Sequence, residues 1–217
     1  MLCYEKLIHM EALLMEESNL LFAKHFASLR TKPKWGLKLV LAIVVAVLTT
    51  VISTFTMDYS KISQGTDMSG AQSQQMESMT KIIGLIGGSI GAVIMIGVMF
   101  LIFLVIAKIM KSDASGKSIF SATLSYTLIT TIVTLIVVLI QWIAGLSANE
   151  YNLTSLNIFD KGNPWLGAFD LQSLLGAYVF GIMLYATNHF SKKATWIWAI
   201  AYLIVFIGFG LISASFQ

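Results

Sequence analysis

Residues 171–214 read LQSLLGAYVFGIMLYATNHFSKKATWIWAIAYLIVFIGFGLISA. Two apolar runs, 171–187 and 196–214, flank a short turn that carries Lys192 and Lys193, and neither run contains Asp, Glu, Lys or Arg. At 1.5 Å per helical residue they extend about 26 and 29 Å, close to the ~30 Å hydrocarbon core of a bilayer. Lipid offers nothing to an unpaired backbone amide, so a spanning segment must be a helix or a barrel strand. Barrel strands alternate apolar with polar residues, whereas these runs are continuous. The stretch reads as a membrane helical hairpin with a basic turn.

Three more runs of the same kind lie upstream, at 39–57, 82–107 and 124–146. The basic residues fall on every second gap. Lys6, Lys24, Arg30, Lys32, Lys34 and Lys38 precede the first run; Lys108, Lys111 and Lys117 follow the second; Lys192 and Lys193 follow the fourth. The alternate gaps hold only Lys61, Lys81 and Lys161. Lys and Arg near span ends are retained in the cytoplasm. The expected fold is therefore all-α: a polytopic bundle of five transmembrane helices, N-terminus in and C-terminus out. The composition agrees, since 57% of the 217 residues are hydrophobic and 12% are charged, about half the charge of an ordinary soluble domain. The net charge of +3 follows from the positive-inside bias and gives no reason to expect nucleic acid. Cys3 is the single cysteine, which excludes an intrachain disulfide.

Residues 1–38 are expected to form a cytoplasmic tail, and 39–217 the membrane domain, whose first run acts as an uncleaved signal anchor. In the tail, Phe22, Phe26 and Leu29 recur at helical spacing, with Lys24 and Arg30 pointing elsewhere. That pattern predicts a short amphipathic helix on the membrane surface. Ser18 or Asn19 would cap its start, and Pro33 would separate it from the first span. Lys24, Arg30, Lys32, Lys34 and Lys38 are its membrane-surface cations, each contributing roughly 1 kcal/mol beside an anionic leaflet. Met10 and Met15 stand as alternative starts to Met1, with residues 1–14 expected to be dispensable. The gap 58–81, rich in Ser, Gln, Gly and Met, is expected to be a flexible external loop. Residues 147–170 form a second external loop whose aromatics suit the headgroup zone, and Asp160-Lys161-Gly162-Asn163-Pro164 marks a turn.

Two polar or small-residue patterns interrupt the apolar runs. Gly84/Gly88 and Gly87/Gly91 are glycine-x-x-x-glycine pairs that permit close helix approach. Thr123, Thr127, Thr130, Thr134 and Gln141 share one face of the third run, as structural hydrogen-bonding groups or as a hydrated path. Catalysis lacks a constellation. Gly87-Gly88-Ser89-Ile90-Gly91 matches a hydrolase elbow in letters only, because that chemistry needs a strained strand-to-helix turn and a base in reach. His9, His25 and His189 have no metal-ligand spacing, and no phosphate or dinucleotide fingerprint occurs. No cofactor, metal or enzymatic activity is expected. Nor does any run carry a charge at its centre, where ion-coupled transporters place one.

Three stretches resemble the YIP-domain family of five-span membrane proteins. FASLRTKPKWGLKLVLAIV (26–44) looks like the family's approach to its first span, and SIFSATLSYTLITTIV (118–133) like its third, with Ser125-Tyr126 after small residues. FDLQSLLGAYVFGIMLYATNHFSKKATWIWAIAYLI (169–204) is similar to its last two spans. The acidic-leucine-tyrosine-glycine-proline type motif of the eukaryotic branch is missing, so the resemblance points to the bacterial branch. It implies a non-enzymatic protein of the bacterial plasma membrane, since some bacterial members are encoded with ABC-type exporters and implicated in handling membrane-active toxic peptides. The leading expectation is a scaffold or accessory subunit of such an efflux complex, giving antimicrobial peptide resistance. Its partners would be the lipid bilayer and other integral membrane proteins, or a second copy of itself. The alternative is a small transporter or channel component using the threonine face.

Overall fold

The computed structural model describes residues 19–58, 70–148 and 150–216. The alternative starts, Cys3, His9 and Ser18 lie outside them. The described residues form seven α-helices in order: α1 (Ala23–Thr31), α2 (Gly36–Thr56), α3 (Gly70–Ile109), α4 (Gly116–Ile143), α5 (Pro164–Gly167), α6 (Leu171–Ala186) and α7 (Lys192–Ala214), with one 3-10 turn at Leu156–Phe159. No strand occurs among the described residues; Ser155 and Asp170 form an isolated bridge. Among the described residues, four helices are long and apolar enough to cross a membrane, in Gly36–Thr56, Gln74–Ile109, Gly116–Ile143 and Lys192–Ala214. Leu171–Ala186 is a shorter apolar helix of 16 residues, about 24 Å long.

Three sequence expectations need correction. The second half of the 58–81 loop is helix, because α3 begins at Gly70. Residues 71–83 contain no Gly or Pro, include Gln72, Gln74, Gln75, Met76 and Met79, residue types that favour helix, and carry a Glu77–Lys81 ion pair at 2.6 Å one helical turn apart. The tail helix exists but starts later. Phe22 takes the N-cap position without a side-chain cap hydrogen bond and turns the chain with a left-handed φ of 68°. Its apolar face is not left for lipid: Ala23, Phe26 and Leu29 are buried in a cluster that includes Phe103, Ala122 and Phe180. Residues 23–31 thus pack against the bundle.

The connections gather at two ends. At one, the Arg30 guanidinium bonds the Thr187 carbonyl at 2.9 Å and pairs with Asp113 at 2.5 Å. The Ser112 hydroxyl also donates to the Asn188 carbonyl at 3.0 Å. Residues 19–35, 110–115 and 187–191 therefore share this end. At the other, Ala148 N–H donates to the Thr56 carbonyl at 3.0 Å, and the 147–170 segment folds on itself. Asn163 caps α5 with Pro164 in the first turn, while Gly162 supplies a φ of 74°. The expected turn at 160–164 is therefore present. Asp170 caps α6, accepting from Gln172 N–H at 2.8 Å.

Candidate functional site

A cavity of about 410 Å³ opens between α2, α3, α4, α6 and α7. Thr127, Thr130 and Thr134 line it from α4, as the periodicity of that run implies, with Thr131 beside them. Thr49 and Thr50 face them from α2, and Gln172, Ser173 and Gly176 from α6; Ala92, Met95, Ile96 and Met99 form the α3 wall. Among the described residues, no Asp, Glu, Lys, Arg or His lines it.

Its polar groups fall into two sets. Thr49 and Thr50 donate to the Val45 and Ala46 carbonyls of their own helix, and Thr130 donates to Tyr126. Thr134 donates to the Gln172 side-chain oxygen at 2.6 Å, and the Gln172 amide donates in turn to Thr154 at 2.9 Å. Thr127, Thr131 and Ser173 lie in the same lining, and no side-chain hydrogen bond ties their hydroxyls to the described residues. These three hydroxyls are the open polar positions of the cavity.

An aromatic cluster adjoins the cavity at Tyr126 and Tyr202. Phe103 stacks on Phe180 at 4.9 Å and meets Tyr126 edge-on at 5.2 Å. Tyr202 stacks on Phe206 at 4.2 Å, and the Tyr126 and Tyr202 hydroxyls hydrogen-bond at 2.7 Å. Gly176 makes room for that pair: a Cβ there would lie 2.5 Å from the Tyr202 hydroxyl oxygen.

The other residues singled out in the sequence fall elsewhere. Thr123 is buried and donates to Ile119 of its own helix, away from the cavity. Gln141 is also buried, donating to the Tyr151 carbonyl at 2.7 Å and so anchoring the 147–170 segment. The glycines of α3 form no continuous seam within the chain. A Cβ on Gly88 would meet Thr50 at 2.7 Å, so α2 and α3 approach closely there, but nothing lies within 4 Å of one on Gly87 or Gly91. Gly84 is exposed. Ser89 sits inside α3, not at an elbow.

The five cations divide. Lys24, Lys32 and Lys34 are exposed, but Arg30 is consumed by Asp113 and Thr187. Lys38 turns into the bundle, donating to Ser125 at 2.7 Å, where the His25 Nε2 also meets that hydroxyl at 3.0 Å. Burial, then the Lys38 charge, holds His25 below its ordinary pKa of 6.5. Burial raises the Asp113 carboxyl, but Arg30 outweighs it, and the group ends below its ordinary 3.8. The backbone is tied down as well, since Ser118 and Ser121 donate to the Arg30 and Lys34 carbonyls. The serines of α4 are thus the fixing points of the segment before α2, a role that their apolar context hid. Thr49-Thr50 was a legible signal for the cavity, being a polar pair within a continuous apolar run. Thr131, Gln172 and Tyr202 offered none, because their meeting depends on helix packing.

The architecture defines a class: a multi-pass, all-helical membrane protein with lipid-facing apolar helices and a neutral internal cavity. The chain matches the Yip1 domain over residues 20–214 and belongs to that family. Searches of curated proteins and of solved structures find no match.

Proposed function

We propose that this protein is a non-enzymatic membrane scaffold or accessory subunit with five crossings, N-terminus in and C-terminus out, in a bacterial plasma membrane. The observation that carries this reading is α3. It is 40 residues long, about 60 Å, and much of its apolar surface is exposed, including Ile83, Ile86, Ile90 and Ile94. The open positions at Gly87 and Gly91 lie in this region, and small residues let a second helix approach closely in lipid. The gathering of 19–35, 110–115 and 187–191 at one end supports α6 as the fifth crossing. Its short length is tolerable because its flanks, Asp170 and Thr187, are bonded within the protein.

The partner we propose is an ABC-type efflux complex that protects against membrane-active toxic peptides, as the bacterial branch of the family suggests. Purification from mild detergent should recover a stoichiometric membrane partner that Gly87→Leu with Gly91→Leu releases. A lone monomer in several detergents would contradict the scaffold role.

A second reading, a small transporter component, draws on the threonine-lined cavity. Replacing Thr127, Thr130 and Thr134 together by Val distinguishes the two. Loss of flux of small neutral solutes with assembly intact supports transport; loss of assembly supports the scaffold.

A further inference from the structure

The cavity has the properties of a binding site whose occupant arrives from the bilayer. Its volume, about 410 Å³, lies within the ~300–1,000 Å³ typical of small-molecule sites. A charged ligand would shed its hydration there without meeting any countercharge, at a cost of several kcal/mol, so the occupant must be neutral. It must also be largely apolar, since Ala46, Met95, Ile96, Met99 and Leu175 supply much of the wall. Yet it must carry oxygen. Thr127, Thr131 and Ser173 present hydroxyls to the cavity that make no side-chain hydrogen bond among the described residues, and oxygens on the occupant would meet them.

Entry is sideways. Helix α3 packs on α2 and α4, and α7 packs on α5 and α6, but α3 and α7 do not pack along one another. Met95 and Phe206, one from each, line the cavity and remain exposed on the lipid side. Tyr126 and Tyr202, hydrogen-bonded to each other, line the cavity where the Phe103 and Phe180 rings pack against them.

We propose that this cavity binds a neutral lipid of the diacylglycerol type. An acyl segment lies against Met95, Ile96 and Met99, and the ester or hydroxyl oxygens meet Thr127, Thr131 and Ser173. The inference goes beyond the scaffold role and holds whether or not the chain carries a partner.

The test uses the full chain in phosphatidylcholine liposomes containing a photoactivatable, alkyne-tagged diacylglycerol, with tagged phosphatidylglycerol in a parallel sample. The diacylglycerol probe should label peptides holding Met95–Met99 and Thr127–Thr131, and unlabelled diacylglycerol should compete. Thr127→Val with Thr131→Val keeps the shape, removes two hydroxyls, and should cut this labelling about tenfold. If that variant unfolds, Ala92→Leu, which adds bulk to the wall, should give the same loss. Equal labelling by phosphatidylglycerol, labelling spread evenly over the lipid-facing side of α3, or labelling untouched by the variants would each overturn the proposal.

Discussion

Helices α3 and α6 are both apolar nearly all round, yet they occupy opposite positions. In α6, Val179, Phe180, Met183, Leu184 and Ala186 are buried, enclosed by α1, α4 and α7. In α3, Ile96, Phe103, Ile106 and Ala107 are the buried apolar side chains, while large residues along the rest of the helix stay exposed. A soluble protein could not show this contrast, because its exposed helix would have to be polar. In a bilayer, lipid tails and protein side chains are equally apolar. What separates the two helices is the size of their side chains and the shape of their neighbours.

That difference can be broken by truncation. Phe180→Ala in α6 removes a ring stacked on Phe103 and should destabilise by about 3–5 kcal/mol. Ile94→Ala, at a lipid-facing position of α3, should stay within about 0.5 kcal/mol. Thermal unfolding in detergent reads both. Adding volume sharpens the same contrast. Gly176→Ala would push into the Tyr126–Tyr202 pair and cost about 1–3 kcal/mol, whereas Gly91→Ala has open space and should be neutral or slightly stabilising.

The docking of α1 on α4 gives a pH test, because His25 meets Ser125 there. An imidazole held below pKa 6.5 binds fewer protons in the docked state than in the released state. Docking is therefore undiminished above about pH 6.5 and weakens as pH falls below it. The Asp113 carboxyl, held below 3.8, keeps its charge until more acidic pH. The protection factors of the 23–31 amides, each taken relative to the intrinsic exchange rate at that pH, should fall between pH 7 and 5, and His25→Gln should flatten that response. The smallest effect belongs to the exposed part of α3: Glu77→Ala, breaking the pair with Lys81, should cost about 0.3–0.5 kcal/mol, visible as local fraying with unchanged global stability.

Much of the bundle was legible in the sequence, for a physical reason. A span must be apolar without interruption, so 39–57, 82–107, 124–146, 171–187 and 196–214 announce α2, α3, α4, α6 and α7 within a few residues, except where α3 and α4 extend into polar sequence. That extension was hidden because hydropathy reports solvent, whereas helix continuity at 70–81 depends on propensity and at 116–123 on the Ser115 cap, which accepts from Ser118 N–H. The site was half legible. Periodicity put Thr127, Thr130 and Thr134 on one face, but it also enrolled Thr123 and Gln141, because a shared face does not fix depth along the helix. The spacing of Phe26 and Leu29 gave an amphipathic helix on the membrane surface; sequence could not say that α4 and α6 rather than lipid would cover its apolar face.

The account rests on α6 carrying the chain between opposite faces of the membrane despite its 16 residues. Cys3 is the only cysteine, so a Cys3→Ser background accepts single reporters at Lys161 and Lys192, one beyond each end of α6. A membrane-impermeant maleimide applied to intact cells should label Lys161→Cys directly and Lys192→Cys only after permeabilisation. Equal labelling of both from the same side would contradict the crossing.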